Sequence, residues 1–291
     1  MISNKSVTLV FSSYQSGALL KKVIKKLPSS YKILVIENSL NKKIKNILEK
    51  SFKNVEVIIP KENLGLARSY NLGIKKAKTK YVFLNNPDLE IKNDSIKKLI
   101  KCAESIKNFG IISPTYKNEK IFKNYEILKY REKNNSPLFK KFGVMEVDII
   151  DNSFIVKRKN IKKFLFDEKY FLYFETFDFC KNLKKKEEKL FVCNKIKYHH
   201  YGSSSVDHKF NKIVKLTRAF HYNWSKFYYF KKHYNYLFAL KKIVPNFFNS
   251  LKKILFSILK LDKKNLMIGL VELYGILTAI LLLDSFYRPK M

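Results

Sequence analysis

The chain has 291 residues and a formal net charge of +35, which comes from 59 basic against 24 acidic side chains. Its length suits one large domain, or a domain with a smaller addition. Only five of the basic residues are Arg. Arg fits base edges and phosphates bidentately and Lys does not, so the composition argues against a nucleic-acid reader. The Lys excess either reflects a lysine-rich proteome or favours diffuse attraction to an anionic surface such as an acidic membrane.

The cysteine pattern and the N-terminal sequence both predict a cytosolic protein. Cys102, Cys180 and Cys193 form no C-x-x-C motif, which predicts reduced, buried thiols. The apolar run near the N-terminus is short and soon turns polar, so we expect no secretory signal.

The first 115 residues alternate β-rich runs with amphipathic runs, which predicts successive βαβ units and a Rossmann-like parallel sheet. The predicted strands are Val7–Ser12, Lys32–Glu37, Val55–Ile59, Tyr81–Leu84 and Ile111–Ser113. The predicted helices are Leu19–Leu27, Lys42–Ser51, Gly65–Ala77 and Ser95–Asn108. Ligands of such sheets bind at the carboxyl ends of the strands, where the polar clusters of this chain also lie.

The second half begins with a polar stretch over residues 115 to 145, which predicts a variable loop or insertion. Four β-rich runs and a helix follow, at Val147–Ile150, Phe154–Lys157, Phe177–Lys186, Leu190–Cys193 and Lys197–His200. After about residue 210 the pattern becomes helical, aromatic and Lys-rich. Leu266–Leu283 is apolar but short for a spanning helix and contains Glu272, so it predicts a packed or membrane-surface helix. With the amphipathic run Lys252–Lys264 before it, this region suits the surface of a bilayer.

Four polar clusters follow predicted strands, and each has a functional and a structural interpretation. Asp88, after Asn86 and Pro87, suits a Mg²⁺ or Mn²⁺ ion held against a diphosphate, or belongs to a plain turn. Glu37-Asn38-Ser39 would contact a base or ribose, or cap the helix that starts at Lys42. Asn63 to Arg68 opens a helix whose amides would meet phosphate, or is again a cap. His199 and His200 would place one imidazole on the metal or diphosphate, or are structural.

The most informative stretch is Phe166 to Leu183, FDEKYFLYFETFDFCKNL. It sets four acidic side chains among aromatic ones: Asp167, Glu168, Glu175 and Asp178. An apolar setting is where the protonation state of a carboxylate becomes tunable. The stretch therefore predicts a catalytic base.

In this order the clusters resemble glycosyltransferase family 2, and most closely its rhamnosyltransferase-like branch. Five patterns of the family have counterparts here. D-N-x-S stands as Glu37-Asn38-Ser39, and N-x-G-x-x-x-x-N-x-G as Asn63-Leu64-Gly65 with Asn71-Leu72-Gly73. L-N-P-D stands as Leu84-Asn85-Asn86-Pro87-Asp88, F-D-E-x-F-F-x-Y-x-E-D-x-D-L as Phe166 to Phe179, and H-x-x-G-x-S as His199 to Ser203. The resemblance covers roughly residues 5 to 235.

The resemblance implies an α/β GT-A fold, with a mostly parallel sheet flanked by helices and a C-terminal helical extension. It implies a catalytic domain over 1–210, with nucleotide-sugar binding at about 1–115 and acceptor and catalytic parts at about 145–210, and a helical region over 211–291. The implied site residues are Glu175 and Asp178 for catalysis, Ser12, Tyr14, Glu37, Asn38, Asn63, Gly65, Arg68 and Asn86 for the donor, and Asp88 with His199 or His200 for Mn²⁺ or Mg²⁺.

Two positions depart from the family pattern. Glu37 stands where Asp is usual, which lengthens the side chain by one methylene. Thr176 stands where the family has the Asp that is its usual base, and a threonine hydroxyl is no general base near neutral pH. We expect Glu175 to take the role, since it adjoins the lost Asp, while Asp178 better suits a helix-start cap.

The expected function is that of an inverting, metal-dependent hexosyltransferase. It would move a sugar, rhamnose or a related hexose, from a nucleotide-diphosphate donor to a glycan or lipid-linked glycan in bacterial surface polysaccharide synthesis, such as capsule or lipopolysaccharide. We expect it in the cytoplasm, peripheral on the inner face of the plasma membrane. Thr176 motivates one alternative, a catalytically impaired relative that acts as a sugar-nucleotide-binding scaffold. The aromatic and Lys residues from Phe220 to Lys232 motivate another, single-stranded nucleic-acid binding, although we expect no nucleic-acid partner.

Overall fold

The computed structural model describes residues 6–106, 108–117, 123–128, 136–161, 165–201, 206 and 210–288. Residues 202–205, which include Gly202 and Ser203 of the predicted motif His199 to Ser203, lie outside this part. The chain divides into two units. The first comprises Met1–Leu64, Arg68–Phe166 and Thr176–Val206, and the second comprises Gly65–Ala67, Asp167–Glu175 and Asp207–Met291. The predicted boundary after residue 210 stays a prediction.

The first unit is built on a mixed sheet with most strands in one direction. Its strands are β1 (Val7–Ser13), β2 (Lys32–Glu37), β3 (Val55–Ile58), β4 (Tyr81–Asn85), β5 (Leu89–Glu90), β6 (Ile111–Tyr116), β8 (Val144–Val147), β10 (Phe154–Lys157) and β11 (Leu190–His200); β7 (Tyr125–Glu126) and β9 (Ile149–Ile150) form a separate pair. Within the described residues the main sheet has the order β3-β2-β1-β4-β10-β6-β11-β5, with β8 also on β11. β5, β8 and β10 run antiparallel to their neighbours. The other strand pairs of this sheet are parallel.

Seven helices accompany these strands in the described part of the chain. They are α1 (Gly17–Ile24), α2 (Lys42–Ser51), α3 (Gly65–Lys76), α4 (Asn93–Ser105), α5 (Pro137–Phe142), α6 (Arg158–Ile161) and α7 (Glu175–Lys185). α3 lies so close to β1 that a Cβ on Gly73 would come within 2.3 Å of Val10 Cγ1. β1, β2, β4 and β10 are almost entirely buried, as expected for strands with helices on both faces.

The predicted strand Val147–Ile150 is wrong, because two strands with different partners stand there. β8 ends at Val147 and pairs with β11, whereas β9 pairs with β7. Buried Asp148 separates them, where it accepts the N–H of Leu128 at 2.7 Å and forms an ion pair with Lys184. A buried carboxylate needs such partners, and the chain bends to supply them.

Two other predictions are corrected in this half of the chain. β11 is one strand with an irregularity between Cys193 and Lys197, instead of two separate strands. The stretch from 115 to 145 is not irregular throughout its described part, since β6 ends within it and β7 and α5 lie inside it. The cysteine prediction is confirmed in part, since all three cysteines are free and buried.

The second unit is dominated by three helices, α8 (Asn211–His233), α9 (Tyr236–Leu259) and α10 (Lys263–Ile280). Their core includes Phe220, Trp224 and Phe227. These three aromatics belong to the run that motivated the nucleic-acid alternative, and their burial leaves them unable to stack on bases, whereas Tyr222 of the same run is 44% exposed. α10 begins earlier and ends earlier than the predicted helix Leu266–Leu283. Among the described residues, every helix is too short or too polar to traverse a bilayer.

Asn71 on α3 fixes the start of the acidic stretch. Its side-chain amide donates to the carbonyl of Phe166 at 3.0 Å and accepts the Phe166 N–H at 2.9 Å. Asn71 is 1% exposed, and the Phe166 ring stacks on Phe179 with centroids 4.2 Å apart. This arrangement joins α3, Phe166 and Phe179 of α7 within the first unit.

We predict that Asn71→Ala lowers the free energy of unfolding by about 2–4 kcal/mol, because both buried backbone groups of Phe166 lose their partner. Urea denaturation followed by circular dichroism measures this change. The matched control is Asn249→Ala at an exposed position of α9, which we expect to change stability by less than about 0.5 kcal/mol. Equal effects of the two substitutions would contradict the interpretation.

Candidate active site

Asp88 and His200 are brought together by strand pairing, although they are 112 residues apart in sequence. Asp88 follows β4 and immediately precedes β5, which pairs antiparallel with the end of β11 so that Leu89 lies opposite His200. The N–H of Tyr201 donates to the Asp88 carbonyl at 2.9 Å and closes the pairing. As a result, His200 Nε2 lies 3.2 Å from Asp88 Oδ2.

The two histidines of the predicted metal set have different surroundings. Successive residues of a strand point to opposite faces. His200 contacts Asp88, whereas His199 is exposed and packs its ring edge-on against Tyr201, with centroids 4.7 Å apart. The structure thus brings His200, and not His199, to Asp88.

Aromatic and amide groups hold the His200 ring in place. The Tyr116 ring stacks on it, with centroids 5.2 Å apart and planes 13° from parallel. The Asn152 side chain accepts the Tyr198 hydroxyl at 3.0 Å and donates to the Tyr116 hydroxyl at 2.9 Å. Burial raises the pKa of both tyrosines, which keeps their hydroxyls neutral.

Asp151 is a candidate that sequence reasoning missed. Its Oδ1 lies 3.4 Å from the Thr176 hydroxyl, at the position where the family has its usual base. Asn152 donates to its Oδ2 at 3.2 Å. The available signal was Asp-Asn-Ser between two β-rich runs, which is also an ordinary turn sequence.

The setting of Asp151 combines access with partial desolvation. More than a third of its surface is open to solvent. Nevertheless, burial by surrounding protein atoms raises the pKa of its carboxyl, against the hydrogen bonds from Thr176 and Asn152. An exposed carboxylate with a raised pKa is common at functional sites.

Asp88 and His200 provide one carboxylate and one imidazole as a donor set for a divalent cation. No group of three His, Cys, Asp or Glu side chains in the described ranges converges in a way that would hold a metal ion. Two protein donors still fit a hard cation that completes its shell with water and phosphate oxygens. The residues present therefore suit a metal that binds together with a diphosphate.

Glu37 is fully buried and already accepts several hydrogen bonds. Its carboxylate accepts the hydroxyls of Ser13, at 2.6 Å, and of Ser39, together with the amides of Gln15 and Ser39 at 3.2 and 3.0 Å. These contacts order the loop after β1. The alternative that this cluster caps α2 is wrong, because Asn41 is the cap and accepts the Lys43 N–H.

Asn38 connects the end of β2 to the entry of α3. Its side chain accepts the Leu64 N–H at 3.0 Å, and donates to Ser69 Oγ at 2.9 Å and to Ser12 Oγ at 3.3 Å. Ser12 is half-buried there, next to the end of β1. Tyr14 follows two residues later, where burial and then the charge of Glu37 raise its pKa.

The remaining residues predicted to bind the donor have different surroundings. Arg68 forms an exposed ion pair with Glu62 at 2.7 Å, and Asn86 accepts the Tyr70 hydroxyl at 2.8 Å. Gly65 begins α3 as predicted, with a φ of +67°, and a Cβ there would lie 2.3 Å from the Phe171 carbonyl oxygen. Glycine is therefore required there by the backbone. Asn63 precedes it at the helix entry and is half-buried.

The acidic stretch distributes its carboxylates over different roles. Asp167 accepts Tyr228 at 2.9 Å and Lys232 at 2.7 Å within the second unit. Burial would raise its pKa, but Lys232 and the Lys169 amide hold it below its usual value. Glu175 is the first residue of α7 and is 4% exposed. The expected cap role of Asp178 is wrong, because α7 starts three residues earlier and Asp178 accepts Asn182 at 2.9 Å inside the helix.

Solved structures share this fold at low sequence identity. One is GalNAc-T7 with UDP, GalNAc and Mn²⁺, at 14% identity and TM-score 0.54 over 75% of this chain and 50% of its own. The chain thus spans about half of that protein's length. Another is the mannosyltransferase PcManGT from Pyrobaculum calidifontis with GDP-Man and Mn²⁺, at 10% identity and TM-score 0.56 over 94% and 87%. S. aureus TarS 1–349 matches at 13% identity and TM-score 0.50 over 97% and 93%.

These likenesses, with the mostly parallel sheet and its flanking helices, define the class of the protein as the GT-A fold. The profile described as Glycosyl transferase family 2 matches residues 8–165, more than half of the chain. The chain belongs to glycosyl transferase family 2. A comparison with curated proteins finds no match.

We predict that Asp151→Asn raises the melting temperature at pH 7. The pKa of the Asp151 carboxyl is raised in the folded state. Its ionisation therefore lowers the free energy of unfolding as the pH rises through that pKa, and Asn avoids this loss. The gain should vanish near pH 3, below the unfolded value of about 3.9. Differential scanning calorimetry at both pH values measures it, with exposed Asp94→Asn as the control. A variant less stable than the wild type at pH 7 would contradict the assignment.

Proposed function

We propose that this family 2 member is an inverting glycosyltransferase that uses a nucleotide-diphosphate sugar donor. The observation that carries the proposal is the pairing of β5 with β11, which sets Asp88 Oδ2 3.2 Å from His200 Nε2 after the carboxyl end of β4. Ligands of open α/β sheets bind at such strand ends. The ligands of the fold relatives, UDP and GDP-Man with Mn²⁺, support the same donor class.

Asp88 and His200 would hold a Mn²⁺ or Mg²⁺ ion together with the donor diphosphate. The bound ion supplies a positive charge that stabilises the departing diphosphate. Tyr116 and Asn152 orient the His200 side of this site through ring stacking and the tyrosine hydroxyls. Oriented supporting groups of this kind fix which ring nitrogen faces the ligand.

A carboxylate would remove the proton from the acceptor hydroxyl. The acceptor oxygen then bonds to the anomeric carbon on the side opposite the diphosphate. The bond between that carbon and the diphosphate oxygen breaks, and the diphosphate leaves with the electron pair. Glu175 remains the base predicted from the sequence. Asp151 is the second candidate, and exposure favours it, because an acceptor must reach the base and Glu175 is 4% exposed.

The finer assignments extend this proposal. The transferred sugar would be rhamnose or a related hexose, in accord with the rhamnosyltransferase-like motifs. The acceptor would be a glycan or lipid-linked glycan of a bacterial surface polysaccharide, assembled at the cytoplasmic face of the plasma membrane. The scaffold alternative rests on Thr176 and predicts donor binding without turnover.

We predict that Asp88→Asn reduces sugar transfer at least about a hundredfold in the presence of Mn²⁺, because a carboxylate donor to the metal is lost. The assay measures transfer and donor hydrolysis with a panel of uridine, guanosine and thymidine diphosphate sugars, with and without Mn²⁺. Asp94→Asn, an exposed carboxylate on α4, is the control and should retain full activity. A wild-type protein that binds none of these donors would refute the proposal.

We predict that Asp151→Asn lowers kcat by about 10²- to 10⁴-fold while donor affinity changes little, because only the proton acceptor is removed. Glu175→Gln is the competing variant, and Asp94→Asn, an exposed carboxylate on α4, is the control. If Glu175→Gln alone abolishes turnover, the base is Glu175. Donor binding by a wild-type protein that shows no turnover with any acceptor would favour the scaffold alternative.

A further inference from the structure

The turn between α9 and α10 exposes an unusual concentration of large apolar side chains. Five of them lie within seven residues, and each is more than half exposed: Leu255, Phe256, Ile258, Leu259 and Leu261. Leu261, in the turn itself, is 86% exposed. We call these five residues the hairpin tip. Single exposed apolar residues are ordinary on a protein surface, but a contiguous group of this kind marks an interaction site.

The apolar surface continues from the hairpin tip along both helices. On α10 every exposed position from 267 to 277 carries an apolar or aromatic side chain, and these positions are spaced by three and four residues: Met267, Leu270, Tyr274 and Leu277. On α9 the exposed residues Leu237, Val244, Phe248 and Leu251 continue the pattern. The core of the unit instead takes other positions of α9, among them Ala239 and Ile243. Each helix therefore has a second apolar stripe beyond the one that packs inside.

The charge around this surface has one sign. The sequence contains no Asp or Glu between Asp207 and Asp262, and residues 208–291 carry sixteen Lys and Arg against three acidic residues. Two of those acids are engaged inside the unit, since Asp262 caps α10 and Glu272 binds Lys253 at 2.5 Å. Lys252, Lys260, Lys263 and Lys264 are exposed beside the hairpin tip.

We propose that the hairpin tip and the adjoining stripes of α9 and α10 dock on an anionic phospholipid bilayer. The apolar side chains enter the boundary between headgroups and acyl chains, while the lysines reach the lipid phosphates. A second copy of the chain fits this surface less well, because it would bring two like-charged faces together. The proposal concerns the second unit alone and does not depend on sugar transfer.

We predict that the full-length protein co-sediments with vesicles containing about 30% phosphatidylglycerol and not with pure phosphatidylcholine, and that about fivefold more salt weakens the binding. The variant Leu259→Ser with Leu261→Ser should bind at least about tenfold more weakly, because two exposed side chains no longer enter the lipid. Lys260→Gln with Lys263→Gln should weaken binding to anionic vesicles.

The matched controls are Ile47→Ser with Leu128→Ser, exposed apolar residues of the first unit, and Lys97→Gln with Lys101→Gln on α4; neither pair should change binding. A fluorophore on Leu261→Cys should shift to the blue with anionic vesicles, whereas one on Ile47→Cys should not; the native cysteines are buried. Unaltered binding by the Leu pair, or no binding by the wild type, overturns the proposal. The proposal is also overturned if the wild type binds no vesicles and forms a dimer that the variant Leu259→Ser with Leu261→Ser does not form.

Discussion

The candidate site depends on the register of one short strand pair. β5 has only two residues, and its pairing with the end of β11 sets Leu89 opposite His200 and Glu90 opposite His199. A slip by one residue would place the other imidazole beside Asp88, because neighbouring residues of a strand face opposite sides. Lys26 and Tyr201 bind Glu90 and help to hold this register. Backbone hydrogen bonding between segments that are far apart in sequence thus selects which histidine lies beside Asp88.

The polar residues around this pair are supported from the sheet. Tyr116 ends β6, Tyr198 lies in β11, and Asn152 stands between β9 and β10 and bonds both tyrosine hydroxyls. Asp151, next to Asn152, keeps access to solvent while its carboxyl is partly desolvated. Rigid strands therefore position side chains whose ionisation is unfavourable for folding. This combination is expected where function, and not stability, selects the residue.

Much of the fold could be predicted from the sequence, because buried parallel strands appear as continuous apolar runs and the helices show regular spacing. β2, β10 and α2 match their predicted bounds. The division at Asp148 could not be predicted, since it depends on Lys184 and Leu128 meeting that carboxylate in three dimensions. The same holds for Asp178, because a cap and an interior helical position differ only by where the helix begins.

The site could be predicted by residue type but not by geometry. Asp88 and the histidine pair were recognisable, while the selection of His200 over His199 required the strand register. Asp151 was missed because its sequence resembles a turn. Glu37 and Gly65 were predicted to contact the donor, and their hydrogen bonds and backbone conformation also give them clear structural roles.

The most direct test of this account is isothermal titration calorimetry of UDP and GDP with Mn²⁺, comparing the wild type with His200→Ala and His199→Ala. Removing His200 should weaken the Mn²⁺-dependent binding of the nucleotide by about tenfold or more, whereas removing His199 should leave it unchanged. Equal affinities for all three proteins, or a loss confined to His199→Ala, would contradict the assignment of Asp88 and His200 as the metal and diphosphate site.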